Sequence, residues 1–344
     1  MKKLLNTMYV TTEGANLRKD GENIVAEIDG TERSRVPLHM VSSVVVFGAI
    51  FVTPPLMAAL ASAGITLTFL DRNGRFQARL EGPVSGNVLL RRAQYRVSDQ
   101  SKDIVRSFLI GKISNQRAVL RRALRDYGSD YSIQERDRLE TVTNRLGYII
   151  RRVEYSDSTI DLLRGSEGEA AALYFSVFDY LIRSPDKTMR WTGRSRRPPR
   201  DRVNAILSFL YTLLTHDCRS ALESIGLDPA VGFLHRDRPG RPSLALDLME
   251  ELRPVLADRL ALSLINRRQL CSKDFISQDG GAVLMTDDCR RTVLIAWQDR
   301  KRAEKQHAFL DEKVPFGLVP YIQAQMLARH IRGDIDAYPP WFWK

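Results

Sequence analysis

Residues 65–80 read ITLTFLDRNGRFQARL, in which two strand-like runs flank the dipeptide Asn73-Gly74. This dipeptide tolerates the positive φ of a tight turn, so the stretch predicts an antiparallel β-hairpin. Two earlier strand-like runs, at residues 24–28 and 44–47, are also rich in β-branched and apolar residues. The chain is therefore predicted to begin with a small, mostly β domain.

The period of the apolar residues changes after this domain. Residues 96–103 form a polar linker, and beyond them apolar residues recur at helical spacing, as Ile104 and Phe108 do. We therefore expect an α+β protein, with the mostly β domain over residues 1–95 and a larger, mainly α-helical domain over residues 104–344.

Composition narrows the class of partner and the compartment. The 344 residues include 52 Lys and Arg against 41 Asp and Glu, a net charge of +11, which predicts a polyanionic partner. Three cysteines without CxxC spacing argue against a disulfide framework and a cysteine zinc site. The first residues lack the apolar run of a signal peptide, and Pro54-Pro55 interrupts the charge-free stretch 41–70. We expect a cytoplasmic protein with no membrane contact.

Positive charge is concentrated in two regions. Residues 91–125 place Arg106, Lys112, Arg117, Arg121, Arg122 and Arg125 on predicted helices. The other region is residues 186–202, which we call the basic loop. Its basic residues are Lys187, Arg190, Arg194, Arg196, Arg197, Arg200 and Arg202. Gly193 and Pro198-Pro199 predict a loop. Arginine forks match phosphate oxygens and the ring of Trp191 can stack on a base, so this loop is predicted to bind the phosphate backbone of a nucleic acid. The alternative is that the charges merely face solvent.

A histidine and two carboxylates can converge in the helical domain. His235 lies in a turn-rich loop before a helix that is predicted to start near Ser243. On this helix Asp247 and Glu250 are three residues apart, which places both carboxylates on one side. The loop imidazole and the two carboxylates can therefore reach a common point.

Glu167 is a further acidic candidate. Ser166 is predicted to be the N-cap of its helix, and Glu167, Ala171 and Tyr174 fall on one helical stripe. A glutamate on a face that should be buried needs a partner or a metal, which favours Glu167 over Glu169.

One imidazole with two carboxylates suits Mn²⁺, or Mg²⁺ when water and phosphate oxygens complete the shell. Such an ion can polarise a phosphodiester. The simpler interpretation is that Asp247 and Glu250 belong to the charged face of an amphipathic helix and that His235 caps a turn. The residues alone leave both interpretations open.

Four stretches carry longer motifs in a fixed order. They are Glu-Gly-x-Ala-Ala-x-x-Tyr at 167–174, Pro-x-x-x-Val-Asn-Ala-Ile-Leu-Ser-Phe-x-Tyr at 199–211, Gly-Phe-Leu-His through Glu-Glu-Leu-Arg-Pro at 232–254, and a C-terminal helix with Gln323, Leu327 and Ala328. Together they resemble the CRISPR-associated integrase of the adaptation module, and most of all the version that accompanies type I-C systems.

The resemblance implies different roles for the two domains. The N-terminal domain would be β-sandwich-like and form the homodimer. The helical domain would be catalytic, with Mg²⁺ or Mn²⁺ held by Glu167, His235 and Glu250 and with Asp247 supporting this site. The implied partners are double-stranded DNA, as spacer fragments and as the CRISPR repeat, a small ferredoxin-like CRISPR-associated protein and a RecB-like CRISPR-associated nuclease.

The implied reaction is attack of a fragment's 3′-hydroxyl on a phosphodiester of the CRISPR repeat, with associated endonuclease activity. Arg241, Arg253 and Tyr174 are additional candidates for contacts to DNA, and Tyr174 is also placed to order the site. Two alternatives stay open. One is a metal-dependent DNA nuclease acting in repair or branched-DNA resolution, with water as the nucleophile. The other is a non-catalytic DNA-binding assembly protein.

Overall fold

The computed structural model describes residues 7–72, 74–80, 82, 87–97, 101–155, 158–195 and 198–343. The chain divides into two compact units. The first unit comprises Met1–Ser85 with Asp287–Arg302, and the second comprises Gly86–Thr286 with Ala303–Lys344. Strands dominate the first unit and helices the second, which confirms the predicted α+β class. The sequence did not indicate that a helix from far along the chain belongs to the first unit.

The described part of the first unit contains two four-stranded sheets. Their strands are β1 (Thr7–Val10), β2 (Asn16–Asp20), β3 (Asn23–Ile28), β4 (Thr31–Pro37), β5 (Ser43–Phe47), β6 (Phe51–Val52), β7 (Thr66–Leu70) and β8 (Phe76–Leu80). The strand orders are β1-β5-β7-β8 and β4-β3-β2-β6. The predicted hairpin is confirmed as β7 and β8, which pair antiparallel. Asn73 in its turn lies outside the described residues.

Both sheets contribute to one apolar core. Leu17 and Ile24 from one sheet and Val44 and Leu67 from the other are fully buried in the same cluster. Each such side chain stabilises the fold by about 1.5–3 kcal/mol relative to an exposed one. This shared core agrees with a sandwich-like arrangement, although β1, β5 and β7 run parallel to one another.

Ten α-helices occur in the described residues. They are α1 (Pro54–Ser62), α2 (Val88–Val97), α3 (Lys102–Tyr127), α4 (Ile133–Tyr155), α5 (Ile160–Ser176), α6 (Arg202–Ile225), α7 (Ser243–Glu250), α8 (Arg259–Asn266), α9 (Asp287–Arg302) and α10 (Val319–Arg332). The predicted domain boundary at residue 95 falls inside α2. None of the described helices is long and apolar enough to cross a membrane.

Shorter elements join these helices. A π-helical segment, Arg253–Asp258, links α7 to α8. Two hairpins pair β9 (Phe275–Ser277) with β10 (Val283–Met285) and β11 (Glu304–His307) with β12 (Glu312–Pro315). Short 3-10 segments cover Leu38–Met40, Gly128–Asp130, Phe178–Leu181, Ser272–Asp274 and Phe316–Leu318.

Helix α3 is central in the second unit, because it packs against α4, α5, α7 and the π-helical segment. Its apolar residues Val105, Phe108 and Leu109 are fully buried. Lys112 and Asn115 are also buried on this helix. A buried lysine or asparagine requires polar partners. Helix α3 therefore places two polar groups in the interior of the unit, and each must contact polar groups there.

The predicted N-cap at Ser166 is wrong. Helix α5 begins at Ile160, and the Thr159 hydroxyl accepts the backbone N–H of Leu162. Ser166 lies inside the helix and donates its hydroxyl to the carbonyl of Leu162. The serine beside Gly165 looked like a start because serine and glycine are weak helix formers, but tertiary packing keeps this stretch helical.

Candidate active site

The loop that carries His235 is held by one buried carboxylate. Asp247 on α7 accepts the backbone N–H groups of Phe233, Leu234 and His235 at 2.6, 3.0 and 2.9 Å. Its Oδ1 also lies 2.5 Å from Nδ1 of the His235 ring. A carboxylate only accepts, so Nδ1 carries the proton. Asp247 therefore fixes both the loop backbone and the orientation of the imidazole.

Two further contacts hold this loop close to α7. An added Cβ at Gly232 would lie 2.8 Å from Ser243 Cβ and 2.9 Å from Asp247 Oδ2, so the approach requires glycine. From α5, the Arg164 guanidinium donates to the carbonyl of Leu234 at 2.7 Å. The predicted helix start at Ser243 is confirmed.

Glu167 and Glu250 meet at the same ammonium group. Lys112 on α3 forms an ion pair with Glu167 on α5, and its Nζ lies 2.7 Å from Oε2 of Glu250 at the end of α7. His235 Nε2 is 3.8 Å from Glu250 Oε1, and Arg253 approaches the same oxygen to 3.1 Å. Of the three predicted metal ligands, the structure thus brings Glu167 and Glu250 to Lys112 and places His235 beside Glu250. Sequence reasoning missed this role of Lys112.

Charge around Glu250 keeps this carboxylate ionised. Burial would raise the pKa of Glu250, but Arg253, Lys112 and His235 together lower its pKa below the usual range. Within the described residues, Glu250 Oε2 is buried and has no hydrogen bond of good geometry, although the Lys112 nitrogen is close. A buried carboxylate oxygen without a hydrogen bond is a group that a bound cation can satisfy.

The donor set fits a hard divalent ion. Glu167 and Glu250 already share one cation, and the proton on Nδ1 leaves Nε2 of His235 as the ring's electron-pair donor. In the ranges that the structure describes, no three His, Cys, Asp or Glu side chains stand at mutual metal-ligand spacing. Lys112 lies between the two glutamates instead.

A second buried network lies directly behind the site. Glu251 accepts hydrogen bonds from Gln323 and from the backbone N–H of Trp341, at 3.1 and 2.6 Å, and from the Tyr338 hydroxyl. Burial raises the pKa of Glu251 to about 7 against these donors. Asn115 on α3 donates to the carbonyls of Glu251 and Trp341. The C-terminal segment is therefore tied to the turn that carries Glu250.

A third cluster surrounds the ring of Tyr211. The guanidinium groups of Arg253 and Arg194 lie 4.8 and 5.2 Å from its centroid. Its hydroxyl donates to Asp258 at 2.5 Å. Burial raises the pKa of Asp258 to about 6, although the Tyr211 hydrogen bond opposes this shift.

The candidate DNA contacts differ in exposure. Arg190 and Arg200 are exposed, whereas Arg194 is half-buried and donates to Asn204 Oδ1 at 2.7 Å. The described part of the basic loop has no strand, and no helix before Arg202, where α6 begins, so the predicted loop is confirmed for the described residues up to Asp201. Arg196 and Arg197 lie outside the described residues.

Two aromatic candidates belong to the core instead. Trp191 is 9% exposed and stacks on Phe175 with ring centroids 5.1 Å apart, so its predicted role as a base platform is wrong. Tyr174 is fully buried beside Phe178 and presents no surface to DNA. Neither burial was visible in the sequence, because the packing partners are remote.

Arginines line a cavity beside the candidate ligands. The cavity has a volume of about 530 Å³ and is lined by Glu167, His235, Arg164, Arg236, Arg238 and Arg241. Arg236 and Arg238 are exposed. Sequence reasoning singled out Arg241 but missed Arg236 and Arg238, although both neighbour the His235 loop.

A model of the protein family described as CRISPR associated protein Cas1 matches residues 8–299. The chain belongs to the Cas1 family. It is similar to the CRISPR-associated endonuclease Cas1 2 of Rhodospirillum rubrum, with 69% identity over 344 residues and full coverage of both chains. The family assignment made from the four sequence motifs is confirmed.

Solved structures share the fold of this Cas1 chain. A Cas1 protein from Thermotoga maritima has a TM-score of 0.79 at 22% identity, covering 95% of this chain and 97% of the other. A casposase bound to integration product has a TM-score of 0.81 at 20% identity, covering 97% and 93%.

Two other similar proteins are larger than this chain. A CRISPR-associated exonuclease Cas4/endonuclease Cas1 fusion from Rhodospirillum rubrum is 34% identical over 338 residues, which are 96% of this chain and 57% of the fusion. A chain of a Cas6-RT-Cas1–Cas2 complex has a TM-score of 0.82 at 22% identity, covering 98% and 36%.

Replacing Gly232 by Ala should destabilise the second unit by roughly 1–3 kcal/mol, because the new Cβ meets Ser243 and Asp247. Gly168→Ala is the matched control. An added Cβ there meets no heavy atom within 4 Å, so the change should stabilise α5 by about 0.5–1 kcal/mol. Urea unfolding of both variants measures the two effects. Equal free energies of unfolding for the two variants would contradict the close approach of Gly232 to Ser243 and Asp247.

The free energy of unfolding should depend on pH through Asp258. Its pKa is raised from 3.8 to about 6 in the folded protein, so the fold is favoured by protonation and loses stability as pH rises through this window. Asp258→Asn removes the titration while still accepting from Tyr211. As pH rises from 3.8 to about 6, the free energy of unfolding of the variant should increase relative to that of wild type by on the order of 2–3 kcal/mol. If the difference in free energy of unfolding between the two proteins does not change across this pH range, the raised pKa of Asp258 is contradicted.

Proposed function

We propose that this Cas1 protein is a divalent-metal-dependent DNA strand-transfer enzyme that inserts short fragments as new spacers into the CRISPR repeat array. The observation that carries the proposal is that Glu167 and Glu250 meet at one cation, with His235 beside Glu250, and that Glu167 and His235 line an arginine-lined cavity. The relative's name, endonuclease, supports DNA cleavage. The shared fold of a casposase bound to integration product supports strand transfer.

The carboxylates of Glu167 and Glu250 and Nε2 of His235 would hold Mg²⁺ or Mn²⁺. When bound, the ion supplies Lewis-acid polarisation of the phosphodiester and stabilises developing charge on its oxygens. Asp247 is a positioning residue, because its oxygens are used by the loop N–H groups and by His235 Nδ1.

The remaining residues bind and orient DNA. Arg236, Arg238 and Arg241 line the cavity, where their guanidinium groups would bind phosphates of the two DNA partners. The fragment's 3′-oxygen then forms a bond to phosphorus as the bond to the 3′-oxygen of the cut strand breaks. One phosphodiester replaces another, so no covalent enzyme intermediate is required.

Partners follow from the relatives. A Cas1–Cas2 complex and a Cas4–Cas1 fusion support assembly with a small Cas2-like protein and with a Cas4-like nuclease. We assign homodimerisation to the N-terminal unit and the type I-C version to the motifs at 167–174 and 232–254. The genes that adjoin the coding sequence test the subtype.

The competing function is a metal-dependent nuclease of DNA repair or branched-DNA resolution. It would use the same three ligands with water as the attacking group. The two functions therefore differ in whether a free 3′-hydroxyl is joined to the target, which an assay of product structure can decide.

Strand transfer of a short duplex into a supercoiled plasmid bearing the repeat, with the small partner added, tests the proposal. We expect joined product that requires Mg²⁺ or Mn²⁺ and a free 3′-hydroxyl on the duplex. His235→Ala should reduce joining by at least about 100-fold, as loss of a metal ligand does. His39→Ala, an exposed histidine in the first unit, is the matched control and should join as wild type does.

The outcomes separate the three functions. Nicking without joining, unaffected by a blocked 3′ end, would favour the repair nuclease. DNA binding without any metal-dependent cleavage or joining in the presence of the partner would favour the binding module.

DNA affinity should depend on salt through the exposed arginines of the cavity. The double variant Arg236→Gln/Arg238→Gln should lower the slope of log affinity against log salt by about one for each phosphate that the protein no longer neutralises. Arg136→Gln/Arg138→Gln on exposed positions of α4 is the matched control and should leave the slope close to the wild-type value. Equal slopes for the two double variants would remove the cavity arginines from the DNA interface.

A further inference from the structure

Lys112 is the buried cation at the centre of the site. Its side chain is 4% exposed, against 2% for Glu250 and 30% for Glu167. It reaches both carboxylates from α3, a helix that carries none of the three candidate metal ligands. The lysine therefore joins α3 to α5 and α7 through ionic contacts.

Burial makes this lysine costly unless both contacts are kept. An ammonium removed from water loses several kcal/mol of hydration, which only close opposite charges offset. Glu250 is itself shared, since Arg253 lies 3.1 Å from its other oxygen. Two cations and two carboxylates thus balance within the cluster, without a divalent ion.

We propose that Lys112 is the resident cation of the metal-free site. It holds Glu167 and Glu250 together until a divalent ion takes its place between them, and it must then leave the two carboxylates. This inference rests on the proposed metal site. It assigns to Lys112 a role in metal affinity that differs from that of a ligand or of a DNA contact.

Two physical effects act in opposite directions. The lysine keeps the carboxylates close, which prepares the site for a metal ion, but its positive charge competes with the ion for the same oxygens. Competition dominates, because Asp247 and Arg253 already fix α7 and the adjoining turn without the lysine. Glu167, which Lys112 contacts, is 30% exposed and lines the arginine-lined cavity, so we expect the displaced side chain to reach solvent next to Glu167.

Titration of the full-length protein with MnCl₂ in the absence of DNA tests the inference. Lys112→Gln and Lys112→Met remove the charge but keep much of the side-chain volume. Each should bind Mn²⁺ about tenfold more tightly than wild type. Without metal, both variants should melt at a lower temperature than wild type. Added Mn²⁺ should raise their melting temperature by more than it raises that of wild type.

Two controls locate the effect. Arg125→Gln removes a positive charge from an exposed position of the same helix and should leave Mn²⁺ affinity unchanged. Glu167→Gln should abolish binding, which shows that the titrated site is this one.

A measurement on wild-type protein does not depend on the folding of any variant. Acetylation of Lys112 by acetic anhydride, followed by mass spectrometry, should increase when Mn²⁺ is added, because the displaced ammonium gains access to solvent. Unchanged or reduced labelling would overturn the inference.

The failure of this inference can be told from the failure of the proposed function. Equal or weaker Mn²⁺ binding by both Lys112 variants, with wild-type binding that requires Glu167, would overturn the role of Lys112 and leave the metal site standing. Wild-type protein that binds no Mn²⁺ or Mg²⁺ would overturn both.

Discussion

The burial of Asp247 and Glu250 within one turn of α7 is the constraint on which the second unit depends. Asp247 is satisfied by three loop N–H groups and the His235 ring, which requires the loop to pass so close that only Gly232 fits. Glu250 is satisfied by cations, which requires Lys112 from α3 and Arg253 from the π-helical segment. Two buried charges thereby determine where the loop, α3 and the chain after α7 must lie.

The register of α3 is fixed at two neighbouring positions. Lys112 reaches the carboxylates of the site, and Asn115, three residues later, donates to Glu251 and Trp341. A shift of α3 by one residue would break both sets of contacts, since residues three apart share a helix face. The C-terminal segment is therefore coupled to the site through Glu251 and Asn115, although it supplies none of the candidate ligands.

Sequence reasoning succeeded where local chemistry decides the structure and failed where remote packing does. The hairpin over residues 65–80 follows from its turn dipeptide, and the start of α7 follows from the turn-rich loop before Ser243. Trp191 looked like a surface ring because its neighbours in sequence are charged, yet Phe175 covers it. The role of Lys112 was missed for the converse reason, because this lysine belongs with the basic residues of 91–125, and lysines on amphipathic helices usually face solvent.

The ionic balance of the site bears on how the protein reaches its active form. A structural metal is commonly needed for folding when its ligands repel one another in the apo protein. Here Lys112 and Arg253 neutralise Glu167 and Glu250, so α3, α5 and α7 can pack before any divalent ion binds. At the proposed metal site, folding and metal binding would then be separate steps, and the affinity for the metal would depend on the energy needed to remove Lys112 from the two carboxylates.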